Sequence, residues 1–381
     1  VNAQGLVENV QILSSNLVQN GDFSEQGAEE VSNGSFSQEG VQLITNGDFA
    51  TDTDWVKGTG WSISGGSANC DGTQASNSLI YQNIGSQANK TVKFSFTVTN
   101  YVSGVLETAF FGAAGTIAET ISANGDYTFY INVQSGHNGN TGFTAKVGFT
   151  GSIDNVSVRE VGQDWTLGGE VTIGDNLAHF ESNTNTYSYI RQDISSLTTK
   201  TYKIQLEVKN YVSGEVQVLF KGSPSALQVL NVSSDGVYTA YLTPNANGDD
   251  LEVSREFNGG NFNFDITNIS VKEVGQNWTL DDWSVGNSLV SSGNTSSLLR
   301  QDNIYTSTTS IYKTTFKAKS VNGTSVTLRV YDGSGNNFET ITITSSDFQD
   351  FTLTRQRQGA SPSLFFFNNS NAEIEITNIS V

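Results

Sequence analysis

The chain has 381 residues, enough for two to four ordinary domains, and carries 22 Phe and 13 Tyr but only three Pro and no Met. A Gly/Ser/Thr/Asn-rich, aromatic-rich chain of this kind suits turn-rich all-β structure, and the spread of aromatics without charge blocks excludes wholesale disorder. With 38 acidic against 19 basic residues the net charge is −19, which repels phosphate backbones and anionic membranes, and no apolar run approaches the ~20 residues of a membrane span, so neither nucleic acid nor membrane insertion is expected.

In chain order, residues 1–42 form an amino-terminal segment with a 13-residue repeat. Val18-Gln-Asn-Gly-Asp-Phe23, Val31-Ser-Asn-Gly-Ser-Phe36 and the Asn46-Gly-Asp-Phe49 that follows are three versions of one word, with their Asn residues 13 apart. Only the third leads directly into a tryptophan-bearing globular stretch. A 13-residue unit is too short to bury a core alone. The apolar residues of the first two words, Val18, Phe23, Val31 and Phe36, are therefore expected to stack on neighbouring chains as an assembly element. Val1 stands where an initiator Met would be and the chain stops on a strand-like Val381, as expected of a piece of a longer chain.

Three copies of one domain follow, over 43–162, 163–274 and 275–381. Asn100-Tyr-Val-Ser-Gly104 returns as Asn210-Tyr-Val-Ser-Gly214. Ile153-Asp-Asn-Val-Ser-Val158 returns as Ile266-Thr-Asn-Ile-Ser-Val271 and Ile376-Thr-Asn-Ile-Ser-Val381. Tyr81-Gln-Asn-Ile84 matches Arg191-Gln-Asp-Ile194 and, with one insertion, Arg300-Gln-Asp-Asn-Ile304, while Trp165 and Trp278 lie 113 residues apart. Repeats of this length mark duplicated domains. Val92, Phe94, Phe96 and Val98 alternate with polar residues, as do Tyr202, Ile204, Leu206 and Val208, which is the period of a strand with one buried face. Asn124-Gly125 and Asp235-Gly236, just before Tyr127 and Tyr238, are expected to join antiparallel strands as hairpin turns. Short strands with turn signals every 8–12 residues predict three tandem β-sandwiches. The joints Glu160-Val-Gly-Gln-Asp-Trp165 and Glu273-Val-Gly-Gln-Asn-Trp278 are not flexible tethers, so a fairly stiff string of domains is expected.

Asn46-Gly-Asp-Phe49, Trp55, Tyr81-Gln-Asn-Ile84, Lys90-Thr-Val-Lys-Phe94 and Ile153-Asp-Asn-Val156 together resemble the family 4/9-type carbohydrate-binding domain, a jelly-roll β-sandwich. The resemblance covers 43–158 and reaches 163–271 and 275–381 only through the later motifs, because those copies lack the opening word. The wording LITNGDFATDTDW and TNYVSG is also similar to repeats of virion structural and fibre proteins of marine tailed bacteriophages. The resemblance implies jelly rolls that bind glycan or serve purely as structure. It also implies one structural calcium between the first and last strands, where Asp48 and Asp154 fall in copy one. Copies two and three have Thr267 and Thr377 in place of Asp154. The other reading of Asp48 and Asp154 is that they bond nearby backbone N–H groups.

No catalytic residues are predicted. His137 and His179 lie in different copies, in no metal or triad spacing, and are expected in solvated loops; Cys70 is the only cysteine and a structural thiol. A triplicated enzyme should triplicate its site, and no acid/base pair recurs. Aromatic faces that could stack on sugar rings are Tyr81, Trp61 and Tyr101 in copy one, Tyr211 in copy two and Trp283 in copy three. Trp61 corresponds to Val171 and Trp283, an exchange that suggests a core position, whereas Tyr81 corresponds to Arg191 and Arg300, as at an exposed one. The expected protein is a non-catalytic structural protein on the surface of a phage virion, a fibre, spike or capsid appendage. Its expected partners are other virion proteins, copies of itself in a trimer, and a host-surface glycan met weakly and multivalently. The alternative is a secreted bacterial polysaccharide-binding protein or the non-catalytic arm of a glycan-degrading enzyme.

Overall fold

The structure is a computed structural model that describes residues 14–114, 116, 118–184, 186–222, 225–248, 250–255, 260–286, 288–293, 296–332, 338–357 and 361–381. Its described residues form strands and turns without helix, as three jelly-roll β-sandwiches in tandem. A short strand β1 (Gln26–Glu29) comes first. The first domain then contains β2 (Val56–Lys57), β3 (Trp61–Ser64), β4 (Ser67–Asp71), β5 (Ser78–Asn83) and β6 (Thr91–Ser103). It is completed by β7 (Leu106–Phe110), β8 (Thr120–Ile121), β9 (Gly125–Asn132), β10 (Asn140–Ala145) and β11 (Thr150–Val161).

These strands build two five-stranded antiparallel sheets, β3-β4-β11-β6-β9 and β2-β5-β10-β7-β8, which face each other across the core. The second and third domains repeat both sheet orders. Asn124-Gly125 and Asp235-Gly236 therefore do not close the hairpins expected from the sequence: at each the chain crosses from one sheet to the other, from β8 to β9 in domain one. The alternation read from the sequence sets which face is inside: Val92, Phe94, Phe96 and Val98 on β6 are all buried, and Tyr202, Ile204, Leu206 and Val208 repeat this in domain two. Each sandwich has its own core.

Each last strand carries a bulge. On β11 the pairing with β6 shifts between Asp154 and Ser157, with Asn155 at a positive φ of 54°. Asn268 and Asn378 hold the same place in domains two and three, at 49° and 55°. Asn tolerates this left-handed conformation better than other side-chain-bearing residues, which is why the Asn of the repeated Ile-x-Asn motif recurs.

The amino-terminal segment is not a separate unit. Its described part runs back along the three domains, opposite to their order in the chain. The third word joins the core of domain one through Ile44 and Phe49. The second joins domain two through Val31 and Phe36, and the first joins domain three through Val18 and Phe23. All six side chains are buried. This corrects the expectation that Val18, Phe23, Val31 and Phe36 stack on neighbouring chains: the apolar surface they need is supplied by domains two and three of their own chain.

Between words the arm crosses the joints. β1 pairs with the end of the last strand of domain two, Gln26 opposite Val274 and Glu29 opposite Lys272, and Glu39 bridges to Val161 of β11. Words 13 residues apart place neighbouring docking sites at most about 45 Å apart, the reach of an extended chain.

Candidate functional site

The most elaborate constellation is the seat of each word, built three times from the same parts. The Asn and Phe of a word both take positive φ, 49° and 59° in word one, 49° and 54° in word two, 50° and 48° in word three. A phenylalanine in that region costs roughly 1–2 kcal/mol, so the surroundings must impose it. The Phe N–H closes a tight turn onto the Asn carbonyl at 3.2, 3.1 and 3.2 Å.

Three groups of the receiving domain grip the turn. A tryptophan indole N–H donates to the Asn carbonyl: Trp278 to Asn20 at 3.1 Å, Trp165 to Asn33 at 3.0 Å, Trp55 to Asn46 at 3.0 Å. The same ring packs on the Phe of the word, with centroids 5.7, 5.5 and 5.1 Å apart. A glutamine side chain then pairs like a backbone with the residue before the Asn. Gln301 accepts from the Gln19 N–H at 3.0 Å and donates to its carbonyl at 2.8 Å, Gln192 does so with Ser32 at 2.7 and 2.9 Å, and Gln82 with Thr45 at 2.7 and 2.8 Å. Finally, the bulge in the last strand frees the next N–H to donate to the carbonyl of the word's Gly. These are Ile379 to Gly21 at 2.8 Å, Ile269 to Gly34 at 2.9 Å and Val156 to Gly47 at 2.8 Å.

The Gly is required by this approach. A Cβ there would sit 1.9, 2.0 and 2.1 Å from the carbonyl oxygens of Ile379, Ile269 and Val156. The first position, Val18, Val31 or Ile44, is buried and varies only between aliphatic residues, while the other variable positions face outward: Gln19, Ser32 and Thr45 are exposed, and Asp22, Ser35 and Asp48 are exposed or half-buried. The Ser24 hydroxyl and N–H hold the Asp22 carboxyl below its ordinary value. The side-chain amide of Asn33 reaches the Gln163 carbonyl in the first joint and that of Asn20 the Gln276 carbonyl in the second, so the words also fasten the joints.

The second candidate is the outward face of the sheet β2-β5-β10-β7-β8 and its counterparts. In domain one, Ile80 points into the core and Tyr81 points out, half-buried, with Phe111 edge-on at 5.5 Å. In domain two the position of Tyr81 is Arg191, whose Nε and Nη2 donate to the buried Glu252 at 3.0 and 2.5 Å. Tyr187 donates to the same carboxylate; burial first, and the carboxylate second, push its phenol up to about 12. In domain three Arg300 pairs across to Phe365, which stacks on Tyr331 at 4.9 Å and 3°. The Arg300 guanidinium lies 6.0 Å from the Phe365 ring, and Asp302 is 3.2 Å from its Nε without hydrogen-bond alignment. The three domains thus offer three chemistries at one position: an aromatic edge, a closed ion cluster, and a flat aromatic pair beside an arginine. Phe365 and Tyr331 were not singled out by sequence reasoning. The signal was Phe365-Phe366-Phe367 within one strand, since consecutive side chains cannot all face one core.

The other predicted residues fall elsewhere. Trp61 and Trp283 are buried core residues, 7% and 6% exposed, which corrects their reading as sugar-stacking candidates. Their rings fill the space that Val171 occupies in domain two. Tyr101 and Tyr211 are half-buried, each hydroxyl donating to the carbonyl of the glycine three residues on, Gly104 and Gly214, at 3.0 Å. Asp48 and Asp154 each accept from a nearby backbone N–H, of Ala50 and Asn155. Among the described residues no group of three or more His, Cys, Asp or Glu is placed to hold a metal ion.

His137 is buried, not solvated: Gln87 N–H donates to its Nδ1 at 2.9 Å, which puts the ring proton on Nε2, facing the Asn140 carbonyl at 3.0 Å. His179 sits within a strand, 2.7 Å from Asp265, and is likewise not a loop residue. Cys70 is buried and its thiol pushed up by that burial.

No protein-family model and no curated protein matches the chain. Among solved structures, it is similar to the tandem CBM22-1–CBM22-2 domains of Paenibacillus barcinonensis Xyn10C (11% identity, TM-score 0.25, 57% of this chain and 93% of that one). It is also similar to a triple jelly-roll protein of the turret of an archaeal virus (15%, TM-score 0.22, 85% and 90%). A third is the cycloalternan-forming enzyme of Listeria monocytogenes (10%, TM-score 0.21, 84% and 30%). At these identities and TM-scores none of them says what this chain does.

Proposed function

We propose that the protein is a non-catalytic structural rod: a surface appendage of a tailed-phage virion that holds jelly rolls away from the particle and meets host polysaccharide through their outward faces. The observation that supports this reading is the arm, one continuous segment seated in three consecutive domains and fastened to both joints. A tether that limits movement between domains suits a spacer or display element. The outward aromatic groups, Tyr81 with Phe111 and Tyr331 with Phe365, supply flat faces of the kind that stack on sugar rings. Three domains on one rod make individually weak contacts effective together.

Two measurements test this. Antibodies against the chain should label intact phage particles at a discrete place in negative stain; label confined to bacterial supernatant would favour a secreted polysaccharide-binding protein instead. On an array of host-surface polysaccharides, Tyr81→Ala and Phe365→Ala should each lower binding at an unchanged melting temperature. Silence of the folded chain across the array would remove the glycan part and leave a purely structural rod.

A further inference from the structure

Each word is held by the same grip although its covalent distance to that grip differs widely. The tryptophan that grasps the word lies 9 residues away for Asn46, 132 for Asn33 and 258 for Asn20. Gln82, Gln192 and Gln301 make the same two backbone bonds, and the bulged last strands make the same third. Recognition is therefore written in the word and its seat, not in the loop that joins them. The residues linking word one to word two are largely exposed, and where they pair, as β1, they fasten to the last strand of domain two and not to domain three.

We propose that each seat is an autonomous docking site for a peptide of the form Val/Ile-x-Asn-Gly-Asp/Ser-Phe, and that the partner it fits is the amino-terminal arm of a second copy of this chain. In the finished molecule word one is tethered beside its own seat once words two and three are docked. A short tether of this kind supplies an effective concentration of order millimolar, which disfavours exchange. During folding the tether is not yet formed, because word one must find a seat some 258 residues further along the chain. At that stage an arm from another copy competes on equal chemical terms. Capture in trans links copies arm to domain. The inference does not depend on the virion or glycan reading and fails independently of it.

The test starts from the folded full chain with a protease site inserted between Glu25 and Gln26, exposed residues just ahead of β1. After cleavage the released fragment should stay bound through gel filtration. A labelled peptide spanning Leu17–Glu25 should then replace it, saturably and at one site per chain. The same peptide carrying Phe23→Ala, or Gly21→Val, which would thrust a side chain into the Ile379 carbonyl, should enter at least tenfold more weakly. Failure of the wild-type peptide to enter, or equal entry of the variants, overturns the docking site. The second copy is tested with the uncut chain, unfolded and refolded over a hundredfold range of concentration. Oligomers should rise with concentration and disappear when refolding includes saturating Leu17–Glu25 peptide. Oligomers that ignore the peptide, or none at any concentration, overturn exchange between copies.

Discussion

Domain one and domain three are completed by the same word in the same seat, yet one word is a near neighbour in sequence and the other lies on the far side of two whole domains. In domain one, Asn46 and Trp55 are nine residues apart and the turn, the ring and the last strand form a local opening to the sandwich. In domain three the matching Asn20 and Trp278 are 258 residues apart, and the sandwich is built around a segment made long before it. The native contacts do not record this difference. Loop length changes the entropy of closure slowly, about 0.6 kcal/mol per doubling, so a long connection is affordable when the contacts are specific. What it changes is when, and from which molecule, the contact is made.

The sharpest way to break the comparison is to remove the anchoring ring from each word. Phe49→Ala and Phe23→Ala should each cost about 3–5 kcal/mol, the usual range for a buried Phe. Domain-resolved hydrogen exchange should place the first loss in domain one and the second in domain three, with the other two domains protected. If Phe23→Ala loosens all three domains alike, the arm acts on the whole molecule and not seat by seat.

Alkali should separate the two domains next. Tyr305 is 1% exposed in domain three, and burial raises its phenol to about 12. In the unfolded chain it ionises near 10, so the unfolded state loses the proton first. The stability it contributes is complete below pH 10 and is lost as pH rises towards 12, to a total of roughly 2–3 kcal/mol. Domain one has no phenol raised as far, so the melting of domain three should fall first between pH 10 and 12. Tyr305→Phe should remove the difference.

A smaller effect is expected from the glutamine clasps. Gln82→Ala deletes two hydrogen bonds to an exposed residue whose backbone water can serve, and Gln301→Ala deletes the same two and a third to the Asn277 carbonyl at 3.3 Å, so each should cost only about 1 kcal/mol. The effect should be slightly larger in domain three when measured by denaturant melts, since Gln301 has the extra bond. Smallest is Lys93→Ala, which removes an exposed pair with Glu39 at 2.7 Å where the arm crosses the first joint. It should cost under about 1 kcal/mol and vanish at high salt.

Much of this was legible in the sequence. Alternation at Val92–Val98 and Tyr202–Val208 set the strands, and the three Ile-x-Asn motifs set three copies of one sandwich. The exchange of Trp61 for Val171 and Trp283 already pointed to the core, where all three lie. The seat was present in pieces: three words, three tryptophans, three glutamines and three bulge asparagines were each visible as repeats. Their convergence was not, because nothing local tells Phe36 that its partner is Trp165 and not a neighbouring chain. Copies two and three seemed to lack an opening only because their openings are written ahead of copy one. His137 was misread for a related reason: a Gly/Asn-rich turn looks solvated, but here its backbone folds over a ring whose two nitrogens are both engaged.

The reversed order of the words has a consequence on the ribosome. Word one is made well before the last strand of the domain that receives it. At roughly 5–20 residues per second, Val18 and Phe23 must wait about 20–70 seconds for a seat. Through that interval the nascent chain carries an unpaired, sticky segment, and translating neighbours on one message carry the same segment. A cell that makes this protein therefore sets, by the pace and crowding of its ribosomes, how many of its arms come home.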